Sequence, residues 1–162
     1  MTATPDLGTT AFSTPSDVEV VLSRVFDAPA RLVFAACTMP EHVPNWMLGP
    51  PGWTMPVCEI DLRPDGKWRF AWRQENGDEL EMSGVYREIE PPARVVNTEN
   101  WGGDYPETIN TLTLAEIDGR TTMTTTVRYP SKAARDAAIA TGMTEGASMS
   151  YDGLDAYLTT LG

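Results

Sequence analysis

The sequence predicts a single α+β domain: a curved antiparallel sheet of about seven strands wrapped around a long C-terminal helix, with two short helices after the first strand. Three observations predict it. Short runs of alternating apolar and polar residues recur along most of the chain, separated by turn residues. The stretch from Ser131 to Leu161 instead carries an apolar stripe of helical period. Helical spacing also interrupts the strand series once, between Phe26 and Thr54.

Val18 to Phe26 reads as the first strand, with Val20, Leu22 and Phe26 on one face and Arg24 interrupting that face near its end. Asp27-Ala28-Pro29 then opens a helix with Asp27 as N-cap and Leu32, Val33, Ala36 and Cys37 as its inner side. Pro40 starts a second short helix carrying Val43, Trp46 and Met47, which Gly49-Pro50-Pro51-Gly52 ends. Strands follow at Thr54 to Leu62, Lys67 to Gln74, Glu79 to Ile89, Arg94 to Trp101, Glu107 to Ile117 and Thr121 to Tyr129. Pro64-Asp65-Gly66, Asn76-Gly77-Asp78, Pro91-Pro92 and Asp118-Gly119 supply turns between them. Consecutive hairpins of this kind make a meander, and one face of it must be covered.

The C-terminal helix is the element long enough to cover it. Met143, Ala147, Tyr151, Leu154, Leu158 and Leu161 form its stripe, Ser131 follows Pro130 as a start signal, and Gly162 closes it. Gly142, Gly146 and Gly153 each cost roughly 1 kcal/mol against alanine inside a helix. Such glycines either let a neighbouring segment approach closely or leave a void beneath the sheet, and a void is what function would use.

Composition narrows the function classes. The chain has 162 residues, 41% of them hydrophobic, and a net charge of −11, which argues against nucleic acid and against an anionic membrane surface. Cys37 and Cys58 are the two cysteines, too few for a disulfide framework and not at metal-ligand spacing, so no metal and no cofactor is expected. Residues 1–16 carry neither a basic nor an apolar leader pattern and read as a disordered tail, with the domain over 17–162 and a cytoplasmic location. His42 is the sole histidine and sits on a polar helix turn, a poor basis for nucleophilic catalysis. Glu59 and Asp61 share a strand face where they would hold a proton jointly only if buried. Arg24 needs a carboxylate partner, with Asp61 or Glu99 as candidates.

Several stretches in this order resemble one known family. They are Arg24-Val25-Phe26-Asp27-Ala28-Pro29 with Val33-Phe34; Pro40-Glu41 with Trp46; Asp61-Leu62-Arg63-Pro64-Asp65-Gly66-Lys67-Trp68; Gly84-Val85-Tyr86-Arg87-Glu88-Ile89 with Pro91-Pro92 and Arg94-Val95; and Tyr129-Pro130-Ser131 with Thr141-Gly142-Met143 and Gly146. Together they resemble the helix-grip fold of the START-like (SRPBCC, Bet v-like) superfamily, and within it the AHSA-like group, homologous to the activator of the heat-shock protein 90 ATPase. Asp65 replaces the first glycine of the usual pair, and Ser150-Tyr151 stands where many members carry tryptophan.

The resemblance implies a cavity between sheet and long helix that takes small apolar or aromatic molecules. Phe34, Trp46, Trp68, Phe70, Trp72, Met82, Tyr86, Met143 and Tyr151 are the residues expected to wall it, with Asn97, Glu99 and Asn110 as its polar groups. The same side chains would equally fill a solid core. Two alternatives follow from the resemblance: a chaperone-interacting protein, and a polyketide cyclase-like enzyme using Asp61, Glu99 or Tyr86. No catalytic residue is otherwise assigned, and exposed edge strands leave room for a homodimer.

Overall fold

The computed structural model describes residues 5–161. One antiparallel sheet of eight strands runs in the order β1-β2-β8-β7-β6-β5-β4-β3. The strands are β1 (Ala11–Ser13), β2 (Glu19–Phe26), β3 (Trp53–Ile60), β4 (Lys67–Gln74), β5 (Glu79–Glu90), β6 (Arg94–Glu99), β7 (Thr108–Ile117) and β8 (Arg120–Arg128). The helices are α1 (Ala30–Thr38), α2 (Lys132–Ala140) and α3 (Met143–Leu161), and a 3-10 turn occupies Val43–Asn45. The α+β class, the meander from β3 to β8 and the covering C-terminal helix are as the sequence predicts.

Register fixes which side chains face the helices. Val20 pairs with Val127, Leu22 with Thr125, Arg24 with Met123 and Phe26 with Thr121. On the other arm Trp68, Phe70 and Trp72 pair with Gly84, Met82 and Leu80. A period of two then puts all of these on one face. The core is centred where β2, β8, α1 and α3 meet: Val20, Phe26, Val33, Met123 and Leu154 are essentially sealed. Tyr151 meets Phe26 edge-on, centroids 6.2 Å apart.

Four expectations are corrected. The expected helix over Ser131 to Leu161 is two helices, because Gly142 takes a left-handed backbone (φ 85°) that ends α2. Ser131 does cap it, its hydroxyl accepting from the Ala134 N–H at 3.1 Å. Asp27 is not the cap of α1: Pro29 holds that position, and the Ala30 N–H donates 2.7 Å to Glu116 of β7. Where a second α-helix was expected after Pro40, the chain makes the 3-10 turn. Within the expected tail, Ala11–Ser13 pairs with β2. Residues 1–4, the start of that tail, and Gly162, the expected helix stop, lie outside the described residues.

The glycines of the C-terminal helices have different physical reasons. Gly142 makes the turn. Gly153 admits a close approach: a Cβ there would lie 2.9 Å from the Trp46 carbonyl oxygen. Gly146 faces open space, with nothing within 4 Å of an added Cβ.

Candidate functional site

Two neighbouring rows across the concave face of the sheet are polar. The first runs Trp68, Gly84, Glu99, Thr108 and Tyr129. Trp68 pairs with Gly84 and Glu99 with Thr108, while Gly84 faces Glu99 between the Ser83–Asn100 bridge and the Tyr86–Asn97 pair. The second runs Tyr86, Asn97, Asn110, Val127 and Val20. Strand alternation places every one of these side chains on the helix side.

The helical layer closes over these rows only in part: Trp68, Tyr86, Thr108, Tyr129, Val127 and Val20 are buried, while Glu99, Asn97 and Asn110 are not fully covered. No residue of α2 is buried, and Met143 to Ser150, the first half of α3, are all at least partly exposed. Beneath them Asn97, Glu99, Asn110, Leu112 and Thr125 point inward yet are only half-buried. The break at Gly142 and the open space at Gly146 lie along the same stretch. The second half of α3, by contrast, is seated through Tyr151, Leu154 and Leu158.

Glu99 is the chemical centre of this patch. It accepts from Trp101 Nε1 at 2.7 Å and from Asn110 Nδ2. Thr108 Oγ1 donates onward to Asn110 Oδ1 at 3.3 Å. Both donors to Glu99 are neutral, and no cation pairs with it among the described residues. Burial pushes its carboxyl above the usual range, opposed by the bonds from Trp101 and Asn110. Tyr129 is pushed up to about 12, by burial and then by the Glu99 charge. Its hydroxyl reaches Met143 Sδ at 3.9 Å. Tyr151 is also pushed up to about 12, chiefly by burial, with Cys37 and Glu99 adding to it, and its hydroxyl lies 3.3 Å from Thr125 Oγ1.

Tyr86 is 95% buried by residue, at 5% exposure, and its hydroxyl has no partner among the described residues. Asn97 Nδ2 donates to the Thr98 carbonyl at 3.0 Å, which leaves its own oxygen free. Trp68 Nε1 is buried and unpartnered, tucked over Gly84, 2.7 Å from where a Cβ on that glycine would lie.

The apolar residues expected in the wall divide into separate groups. Trp68, Phe70 and Trp72 form a ridge in which each ring touches the next, at 5.0 and 6.1 Å, and Met82 pairs with Phe70 beside them. The ridge ends on Trp101, which stacks on Trp72 at 5.6 Å and 12°. Trp72 Nε1 donates 2.7 Å to the Met47 carbonyl and Trp46 Nε1 2.8 Å to that of Ala36. Phe34 and Trp46 are buried core side chains. Thus Tyr86, Asn97, Glu99 and Met143 meet at the polar patch with Asn110, while the tryptophan ridge and Phe34 flank it as packed structure.

Other candidates lie elsewhere. Asp61 is exposed, its two oxygens sharing the Arg63 Nε–H at 3.0 and 2.9 Å. Glu59 pairs with Arg69. Neither Asp61 nor Glu99, the partners expected for it, holds Arg24, which is 2% exposed and bonds Asp152 at 2.8 Å, Asp155 and Thr10. His42 meets Tyr157 Oη at 2.5 Å. Burial pushes the Cys37 thiol up to about 12. Two grooves, of about 650 and 460 Å³, follow the β3–β5 arm; charged side chains such as Arg69, Arg73 and Glu59 border them, and no helix residue does. Trp101 escaped the sequence reading of the site; the signal available was a tryptophan directly before Gly102-Gly103 at a strand end.

A family model described as "Activator of Hsp90 ATPase homolog 1-like protein" matches residues 27–159. Among solved structures, a protein from Rhodobacter sphaeroides is 28% identical with a TM-score of 0.88, over 95% of this chain and all (100%) of that one. A protein from Nitrosomonas europaea is 22% identical, TM-score 0.81, over 91% and 97%. An AHSA1-like protein from Aeromonas hydrophila is 16% identical, TM-score 0.66, over 84% and 92%. No curated protein matches the chain by sequence. Among the described residues no helix is long and apolar enough to cross a membrane.

Proposed function

This chain belongs to the Activator of Hsp90 ATPase homolog 1-like family, and on that premise we propose that it binds a small, largely apolar or aromatic molecule between the concave sheet face and the start of α3. One observation carries the reading: Glu99, Asn97, Asn110 and Thr125 point inward yet stay half-buried beneath the first half of α3, beside the buried Tyr86, Thr108 and Tyr129. The Tyr86 hydroxyl and the Asn97 oxygen, neither sealed from solvent nor bonded within the described residues, stand at the edge of the aromatic ridge and suit a ligand's polar groups. Leu112, Met143 and Ala147 supply apolar surface beside them.

The energetics suit modest affinity. Burying roughly 200 Å² of apolar ligand surface at ~25 cal/mol per Å² gives about 5 kcal/mol before the cost of association. Micromolar binding therefore needs the polar anchors as well. The reading takes the domain to include β1 with the rest of the sheet and its helices, without a cofactor. The free thiols Cys37 and Cys58 support a reducing compartment such as the cytoplasm.

The test is titration with the neutral fluorophore N-phenylnaphthylamine, read by its emission, on the native chain and on Ala147→Trp. The native chain is expected to saturate at one site, and the tryptophan variant to lose it while keeping its fold by circular dichroism. Absence of saturable binding to the native chain would overturn the proposal.

A further inference from the structure

We infer that the molecule held at this patch is an organic amine bound as its ammonium, with Glu99 as its counter-charge; the inference rests on the ligand-binding reading above. Glu99 is the carboxylate at the centre of the patch, and no cation pairs with it among the described residues. Glu99 takes a single neutral donor on each carboxyl oxygen, and each oxygen has a further lone pair. Asn97 Oδ1 and the Tyr86 hydroxyl oxygen are free, and Tyr129 offers its hydroxyl oxygen beside the Met143 thioether. Neutral donors remain as well, since Asn97 Nδ2 and Asn110 Nδ2 each spend one N–H of two and Tyr86 keeps its O–H, but none of them carries a positive charge. Trp68 Nε1 is a further spare donor, and it is sealed behind Gly84. An ammonium supplies the positive charge the patch lacks, with three donors for Glu99 and the oxygens beside it.

Charge agrees with hydrogen bonding. The groups around Glu99 are Asn110 and Thr108 of β7, Tyr129 just past β8, Trp101 just past β6, and Met143 and Tyr151 of α3, none of them cationic. A carboxylate partly withdrawn from water without a cation bears a desolvation cost, and a bound ammonium offsets it. The chain's net charge of −11 favours approach of a cation over an anion.

The test compares two probes of one shape, naphthylmethylammonium and naphthalenemethanol, by calorimetric titration at about pH 8, where the amine keeps its proton. The native chain is expected to bind the ammonium about tenfold or more tightly than the alcohol, as a charge-assisted bond requires. Glu99→Gln, checked for fold by circular dichroism, is expected to erase that preference while still binding the alcohol. Equal or tighter binding of the alcohol by the native chain overturns the amine inference and leaves the ligand-binding reading standing. A preference that survives Glu99→Gln also overturns it. Binding of neither probe overturns both. The native-chain ratio decides the matter even if the variant does not fold.

Discussion

The carbonyl oxygen of Trp46 occupies the space a side chain on Gly153 would enter, 2.9 Å from the ideal Cβ position. Gly146, two turns earlier on the same helix, has nothing within 4 Å of its own. One substitution made at both positions therefore has opposite signs. Gly146→Ala gains about 0.5–1 kcal/mol from helix propensity. Gly153→Ala gains the same propensity but forces backbone apart, at a cost of about 1–3 kcal/mol, and is expected to be net destabilising. Urea midpoints at constant m-value measure both.

Gly84 gives a stronger steric case. A Cβ there would lie 1.9 Å from the Thr98 carbonyl oxygen of β6 and 2.7 Å from Trp68 Nε1. Gly84→Ala is expected to cost more than about 2 kcal/mol, or to prevent folding, read from the thermal midpoint.

Arg24 ties β2 to α3 through Asp152 and Asp155 and is essentially sealed at 2% exposure. Replacing both aspartates by asparagine leaves a buried guanidinium without a counter-charge and is expected to cost about 3 kcal/mol. Arg24→Met in the doubly substituted background should recover part of that loss. Denaturant titration of the three chains checks it; a double variant as stable as the parent would contradict the clamp.

Much of this architecture is legible in the sequence because alternation and helical period are local signals. The pairing of Trp68, Phe70 and Trp72 with the next strand, and the seat of Tyr151, Leu154 and Leu158, follow from them directly. What escaped depends on distant or conformational facts. Gly142 reads as one more helix glycine until its φ of 85° is known. Glu116 caps α1 from 86 residues away, and Asp155 meets Arg24 across 131. For the site, Asn97, Glu99 and Asn110 stand out as polar residues at inward positions. That the tryptophans pack on one another is a fact of ring geometry, which no spacing encodes.

Glu99 also makes stability depend on pH. Its folded carboxyl titrates above the ordinary value of 4.5, so the folded state holds the proton more tightly than the unfolded one. Between 4.5 and the raised folded value the unfolded chain binds fewer protons, and stability falls as pH rises. Glu99→Gln is expected to flatten the curve over that window and to be the more stable chain above it. The difference between the two chains isolates this group from the exposed carboxylates Glu81 and Asp136, whose arginine and lysine partners shift them the other way.

The thiols supply a check on packing. Burial holds Cys37 near 12 and Cys58 near 11, the latter aided by Glu41. Both are expected to react with an aromatic disulfide reagent at least about tenfold more slowly than the unfolded chain at neutral pH. Rapid reaction of Cys37 in the native state would contradict its seat against Met123.

The most direct test of the central claim is a nuclear magnetic resonance titration of the native chain with N-phenylnaphthylamine. Saturable shifts are expected at Asn97, Glu99, Asn110 and the Met143 methyl, with Gly142 and Gly146 following as α3 adjusts. Shifts confined to Arg69, Arg73 and Glu59 on the grooves of the β3–β5 arm, or no shifts at all, would contradict it.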